Sequence, residues 1–568
     1  MMESKCIKAI NEKNNIIKVE KVSNSENKEK LNYQNRNYNF GKALSVPLIL
    51  NHLFNYINRK NIKNLSLCNK RIYQLYCDNI KSLKIYKENK ISNIIKLVTK
   101  YKNINDLDLS ECQDLKITLK EKKLLDLYFG KIKKLNLRNN NKISNYKFVF
   151  YLKNLEILDI SNIEIRDISF LQRLNIKELN LSHCRNIKDF SPISKLERLE
   201  NLDINYTYIE DISFLEKNKN IKILNLSQCK DIYKDFTPIA KLKKLEVLNI
   251  SFTKIEYISF LKNNKNITKL ELNGSNFGNL IIEDFTVISN LTKIKVLELS
   301  YTNFSDISLL DKLLYLKELN LYECPDIEDF TPLSKLEKLE VLKVGRTSFS
   351  DITILEKNKN IKKLSLAECY YIEDFKPLSK LEKLEILDIT SINISRISFL
   401  EKLNIKALYL SSCKNIKDFS PISKLERLEI LSVSETNISC ISFLEKLNNI
   451  KTLFLRCCYY IKDFTYISKL KNLELLDIGS TNVSDISFFE KTKNIKELYL
   501  ENCKCINDYT PISKLEKLEI LDVSWSNFTD VSILENNQNL EDLNLWCCQK
   551  INKKDNIFKR KRLNIHYC

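Results

Sequence analysis

Seventeen cysteines, three histidines and six glycines bound the chemistry open to this 568-residue chain. Thiols can close disulfides, hold zinc or act as nucleophiles, and spacing separates these uses. Eight of the cysteines, Cys184, Cys229, Cys324, Cys369, Cys413, Cys458, Cys503 and Cys548, recur at one position of a repeating phrase, and Cys112 follows an earlier copy. No C-x-x-C pair or Cys/His cluster of zinc spacing accompanies them, so they are read as a ladder of buried thiols with no metal and no cofactor. Neighbouring rungs, two strand spacings or about 9 to 10 Å apart, lie beyond the roughly 7 Å reach of a disulfide. In the pairs Cys457-Cys458 and Cys547-Cys548 one member faces inward and one outward. His52, His183 and His566 stand beside no nucleophile motif, and six scattered glycines build no phosphate loop. The chain is therefore expected not to be an enzyme. What remains is recognition chemistry, carried by exposed Tyr, Trp, Phe and Arg, the types that dominate interface energetics.

The element that positions these residues is a repeat. Leu-Glu-Ile-Leu-Asp-Ile and its variants alternate with Leu-Asn-Leu-Ser-x-Cys, giving one series from Leu158 through Leu202 and Leu248 to Leu521 and a second from Leu179 through Leu224 and Leu270 to Leu543. Single repeats of roughly 22 to 23 residues fall within the 20 to 29 of leucine-rich repeats, and the unit of duplication is a pair. Each L-x-L predicts a short strand whose leucines point inward and whose middle residue points outward. Stacked strands form a parallel sheet on the concave face of a horseshoe-shaped α/β solenoid. Six of the eight prolines (Pro192, Pro238, Pro332, Pro377, Pro421, Pro511) share one position in the following segment. They predict short 3-10 or single-turn helices on the convex face. The residue three after the second core leucine is Thr in one series (Thr207, Thr253, Thr302, Thr347, Thr436, Thr481) and Cys in the other, both small and able to donate to a neighbouring turn's backbone.

Outward positions locate the expected recognition face. Tyr206, Phe252, Tyr301, Arg346 and Trp525 precede the turn in the Thr series. In the Cys series the residue between the leucines becomes aromatic toward the C-terminus, at Tyr409, Phe454 and Tyr499, with Arg456 and Trp546 beside it. The expected protein-binding patch is Tyr409, Phe454, Arg456, Tyr499, Trp525 and Trp546.

The net charge of +20 is concentrated in residues 1–150, which hold 31 Lys and Arg against 13 Asp and Glu. A lysine-rich solvated surface and attraction to an acidic protein partner both account for it. Nucleic acid is not expected, because no basic motif interleaved with aromatics is present. Residues 1–40 are polar and read as a disordered basic tail. No stretch reaches the roughly 18 apolar residues of a membrane span, and the N-terminus lacks an apolar h-region, so neither membrane insertion nor secretion is expected. Reduced thiols then place the chain in the cytoplasm or nucleus, as a monomer outside its complex.

Residues 41–80 read as a helical module ahead of the solenoid, which takes up residues 81–568. Leu50, Leu53, Phe54 and Ile57 follow i, i+3, i+4, i+7 spacing, and after Asn58-Arg59-Lys60-Asn61 a second helix carries Ile62, Leu65, Cys68 and Ile72. Val46-Pro47, Leu53-Phe54-Asn55-Tyr56-Ile57 and Ile62 to Leu75, with Leu65-Ser66 and Lys70-Arg71, resemble an F-box. The acidic residue that usually follows Leu-Pro is missing, and Pro47 lies one residue too close to Phe54. An F-box ahead of such repeats is similar to the F-box/LRR proteins. The resemblance implies a substrate-recognition subunit of a Skp1-cullin-F-box ubiquitin ligase, non-catalytic itself, with Pro47, Leu50, Leu53, Phe54, Ile57 and Leu65 on the Skp1-like adaptor and the concave face on a protein substrate. The repeats also resemble those of internalins and of insect poxvirus LRR family proteins. The alternative is an interaction scaffold or host-factor-binding protein whose N-terminal helices only cap the first repeat.

Overall fold

The computed structural model describes residues 17–19, 80–86, 90–101, 103–112, 115, 128–143, 146–232, 235–276, 278–548, 551, 556–560 and 563–567. The chain divides into two compact units, Met1–Glu256 with Phe260–Ile267, and Tyr257–Ser259 with Thr268–Cys568. Each is a leucine-rich-repeat solenoid.

In the N-terminal unit the described strands run from Ile17–Val19 and Ser82–Tyr86 to Val247–Asn249, all paired in parallel. Ile17–Val19 are the described residues of the expected 1–40 tail, and they form a strand against Leu83–Ile85. The helical module expected over 41–80, with Pro47, Leu50, Leu53, Phe54, Ile57 and Leu65, lies outside the described residues apart from Ile80. A ten-residue helix, Ile91–Lys100, follows the strand Ser82–Tyr86 and buries Ile91, Ile94, Ile95 and Val98. Their 3.6-residue periodicity is that of a one-sided helix.

In the C-terminal unit parallel strands run from Lys269–Glu271 to Asn564–His566. Their register aligns Leu270, Leu297, Leu319, Leu342, Leu364, Leu387, Leu408, Leu431, Leu453, Leu476, Leu498, Leu521 and Leu543 in one buried column. Period-two alternation leaves the residue after each leucine outward. Gly274 is required by the long repeat between Leu270 and Leu297, since a Cβ there would strike the Tyr301 carbonyl and come within 2.7 Å of the Leu280 nitrogen.

Opposite the strands lie 3-10 turns of four to six residues. Each of the six repeat prolines sits in the first turn of one, where its missing N–H loses no bond. An Asp two residues ahead fixes the entry: the N–H groups of Ser191, Thr331 and Ser420 donate to Asp189, Asp329 and Asp418 at 2.8 to 2.9 Å. Phenylalanines pair between successive turns, Phe190 with Phe214 at 6.5 Å and Phe375 with Phe399 at 5.9 Å, within the range of favourable ring contacts.

The Thr and Cys positions distinguish the two repeat types and link them where both are present. In a Thr repeat the carbonyl of the second core residue accepts that repeat's own hydroxyl, as Thr207 Oγ1 to Ile204 at 2.8 Å and Thr347 Oγ1 to Val344 at 2.6 Å. The same oxygen then accepts the thiol of the next repeat, Cys229 Sγ to Ile204 and Cys369 Sγ to Val344, both at 3.2 Å. In a Cys repeat the corresponding carbonyl takes the backbone N–H of the cysteine, as Cys229 to Leu226. In these pairs one carbonyl serves two side chains; Cys184 and Cys413 make the same thiol bond, to the Ile160 and Ile389 carbonyls, with Ile163 and Ile392 in place of the Thr. Burial raises the Cys369 thiol to about 12 and those of Cys184, Cys324, Cys413 and Cys458 to about 11. Cys184, Cys229, Cys324, Cys369, Cys413, Cys440, Cys457, Cys458, Cys503 and Cys505 are free thiols. Cys548 is only partly buried, unlike the other seven rungs, because it closes one of the last repeats.

Candidate functional site: the sheet face of the C-terminal unit

From Asn139 onward, the residue before the turn Thr or Cys, or before the Asn140, Ile163, Ile392 or Ser526 that takes its place, adopts a left-handed backbone. Eighteen described non-glycine residues do so, among them His183, Tyr206, Phe252, Tyr301, Arg346, Cys457, Trp525 and Cys547, with φ between 53° and 65°. A bulky side chain pays roughly 1–2 kcal/mol there. The strain is held by a ladder: the N–H of Tyr301 donates to Tyr322, Arg346 to Ala367 and Trp525 to Trp546, at 2.8 to 2.9 Å. Side chains at this position are therefore displayed on a fixed backbone.

Among the residues expected to bind a partner, Tyr409, Phe454 and Tyr499 occupy the central outward column and are half-buried. They are separated by Ser432 and Asp477, so they stand on alternate strands rather than as an unbroken run. Doubling of the repeat enforces this, since only Cys repeats supply the aromatic. Trp525 and Trp546, the chain's two tryptophans, are 51% and 49% exposed on adjacent repeats. Arg456 is already engaged: its guanidinium crosses Gly479 and pairs with Glu501, two repeats on. A Cβ at residue 479 would come within 2.8 Å of Arg456 Nη1. Burial raises the pKa of Asp477 beside it, and burial followed by the bond to Glu497 raises the Tyr499 hydroxyl to about 12.

Of a second group on the same face, sequence reasoning named Tyr301 and Tyr409 and overlooked the rest. Tyr301, Tyr322, Lys343, Lys363, Ser365 and Tyr409 line a depression of about 480 Å³. The signal lay in the small outward residues Gly345, Ser365 and Ala367, not in the aromatics. Arg346, beside it, is bound by Glu368 at 2.9 Å and Glu323 at 3.2 Å, which raise its pKa further.

The N-terminal unit holds a larger cavity, about 1000 Å³, lined by Arg166, Arg185, Lys188 and Lys217 together with Asp189, Glu210 and Asp211. Asp189 and Asp211 are committed to the turn N–H groups of Ser191 and Ser213. On the outer rim Arg185 stacks 4.5 Å above Tyr206, whose other neighbour is His183 at 4.7 Å. Among the described residues no group of three or more His, Cys, Asp or Glu is placed to hold a metal ion, and no helix is long and apolar enough to cross a membrane.

The family described as leucine rich repeats in two copies matches residues 174–217. No curated protein matches the chain. The fold is similar to that of a leucine-rich-repeat protein of Leptospira interrogans, at 18% identity over 80% of this chain and 99% of that one, TM-score 0.43. It is also similar to the functional domain of InlJ from Listeria monocytogenes, which includes a cysteine ladder, at 17% identity over 66% and 74%, TM-score 0.40. An internalin, InlF, of Listeria monocytogenes shares 22% identity over 69% and 87%, TM-score 0.28. Register, turns and family match together define the class as a leucine-rich-repeat solenoid.

Proposed function

We propose that this chain is a non-catalytic protein-binding solenoid whose partner lies along the sheet face of the C-terminal unit. The observation that carries the reading is the display of Tyr409, Phe454 and Tyr499 at outward positions of alternate repeats and of Trp525 and Trp546 on the adjacent pair that follows, with both tryptophans half-exposed on a hydrogen-bonded backbone. Rigid aromatics lose little entropy on binding and dominate contact energy. Random-peptide phage selected on the full chain should yield clones whose binding falls at least tenfold with Trp525→Ala plus Trp546→Ala, a loss of the size expected at interface hot spots. Clones that bind wild type and variant equally would overturn the assignment of the face.

The finer reading is that of a substrate receptor for a Skp1-cullin-F-box ubiquitin ligase in the cytoplasm or nucleus. It is supported by the sequence pattern Val46-Pro47, Leu53 to Ile57 and Ile62 to Leu75 ahead of the repeats. In this reading Leu53 and Phe54 lie in a desolvated contact with the adaptor, so Leu53→Asp plus Phe54→Asp should abolish Skp1 co-purification while the repeats stay folded. Absence of Skp1 binding by wild type would leave the scaffold reading, with residues 41–80 as a cap.

A further inference from the structure

Strand Lys363–Ser365 carries the small outward residue Ser365, and small residues, Gly345 and Ala367, follow strands Val341–Lys343 and Lys363–Ser365. In the central column Ser365 stands between Lys343 and Asp388. In the next column Gly345 and Ala367 follow Tyr322. The ring of Tyr322 lies down on Gly345, where a Cβ would be 2.8 Å from it, and the Tyr301 ring sits behind at 5.6 Å, tilted 57° to it. Tyr409 closes the opposite side of the 480 Å³ depression.

Its charges are unequal in availability. Most lysines of the neighbouring edge column are paired: Lys317 and Lys362 with Glu340 at 2.6 and 2.7 Å, and Lys406 with Glu385 at 3.0 Å. Lys343 and Lys363 are exposed and form no ion pair among the described residues. In the central column the nearest acidic groups accept hydrogen bonds, while Glu318 stands exposed two strands back from Lys363 in its own column. Asp388 accepts from Ser365 Oγ at 2.8 Å and from the Thr390 N–H at 3.1 Å, and Glu298 accepts from Asn320 at 2.6 Å. Arg346 is already held by its two glutamates. The lining therefore carries two ammonium groups and one hydrogen-bonded carboxylate beside three tyrosines, a net positive charge.

We infer that this depression is a docking subsite for an acidic polypeptide segment, with one Asp or Glu side chain set between Lys343 and Lys363 and its neighbouring aliphatic side chain against Tyr301, Tyr322 and Tyr409. The inference rests on the reading of this sheet face as a protein-binding surface and names the chemistry of the partner. The volume holds one or two side chains, not a folded element. Lysine acts here as a point charge, so an extended segment can slide to its best register before the tyrosines fix it.

The test uses the full chain and fluorescence anisotropy with labelled twelve-residue probes: a Glu/Asp/Leu peptide, its Gln/Asn/Leu counterpart, the same peptide with phosphoserine, and an oligothymidylate of equal length. The acidic peptide should bind at least tenfold more tightly than the amide counterpart, and the difference should shrink with added salt. Lys343→Glu plus Lys363→Glu should remove that preference, and Ser365→Trp, which fills the depression, should weaken the acidic peptide at least tenfold. Both lysines are exposed, so an unchanged melting profile is expected for the double variant and separates loss of binding from loss of fold. Trp525→Ala plus Trp546→Ala should change the acidic peptide's affinity by less than about twofold, as expected of a distant site. Preference for phosphoserine that is lost with the same lysines would support the subsite. Acidic-peptide binding untouched by the lysine variants but abolished by the tryptophan variants would overturn the inference and leave the sheet-face reading intact. Tighter binding of the oligothymidylate through the same lysines, or no binding by either acidic peptide, would overturn it outright.

Discussion

If one buried carbonyl serves Thr347 and Cys369 together, removing both partners must cost more than the sum of removing each. Thr347→Val keeps the shape and rotamer preference but deletes a hydroxyl that donates to Val344 at 2.6 Å and accepts the Phe349 N–H at 3.3 Å. A loss of about 1–2 kcal/mol follows. Cys369→Ala removes a fully buried sulfur and a weak 3.2 Å bond, for about 1 kcal/mol, close to the worth of one buried methylene. In either single variant the Val344 oxygen keeps one side-chain partner. In the double variant it has neither, and an unsatisfied buried acceptor adds roughly 1–3 kcal/mol. The cycle should therefore show a coupling energy of about 1 kcal/mol or more, against the few tenths expected of independent sites. Solenoids open locally, so the readout is hydrogen exchange of peptides spanning residues 341–372, with thermal unfolding as a second measure. Additivity within about 0.5 kcal/mol would refute the shared acceptor.

Stability should decline as pH falls from about 5 toward 2, because the bonds from Lys317 and Lys362 hold the Glu340 carboxyl down at about 2. A depressed folded pKa supplies stability above the unfolded value of about 4.5 and loses it through the folded one. Circular dichroism melts across that window should show the effect weakened in Glu340→Gln. Burial raises the pKa of Asp477, so Asp477→Asn should hold or raise the neutral-pH melting temperature; a clear fall would contradict the stated desolvation. Asn358 Nδ2 donates to the Leu333 and Leu336 carbonyls at 3.0 and 2.8 Å, so Asn358→Ala should destabilise by about 2 kcal/mol in urea or heat. Iodoacetamide at pH 8 should label exposed Cys440 and Cys505 long before Cys369, read by peptide mass mapping, since burial keeps the ladder thiols protonated.

The register was legible because leucine spacing and strand periodicity coincide: Leu158, Leu202 and Leu248 are each buried at the centre of a strand. The turns were legible from proline, whose restricted φ fits the first turn of a 3-10 segment at Pro192 and Pro511 alike. The left-handed position was not. It is filled by His183, Tyr206, Arg346 and Trp525 rather than glycine, so the usual sequence signature of positive φ is missing. Nor was the depression, because a search for aromatics finds walls and not floors. Tyr409 was singled out, while Tyr322, Lys343 and Lys363 were passed over. The alternate-strand placing of Tyr409, Phe454 and Tyr499 was recoverable from the doubling, since three successive Cys repeats are necessarily interleaved with Thr repeats.

The shared carbonyl also bears on why a binding face can vary while the stack holds. Register is fixed by inward leucines, by the N–H ladder through the left-handed position and by the Thr–Cys set, none of which uses an outward side chain. Column positions can therefore carry Ser365, Asp388, Tyr409 or Phe454 on successive repeats without disturbing the strands that bear them. Where an outward group does reach along the face, as Arg456 to Glu501, the backbone yields a glycine to let it pass. Gly479→Ala should accordingly displace Arg456 rather than the sheet: the ion pair to Glu501 opens, exchange protection of the neighbouring strands persists, and peptide clones selected on the aromatic face change affinity. Loss of protection across Leu475–Tyr499 in that variant would show instead that the face and the stack are not separable.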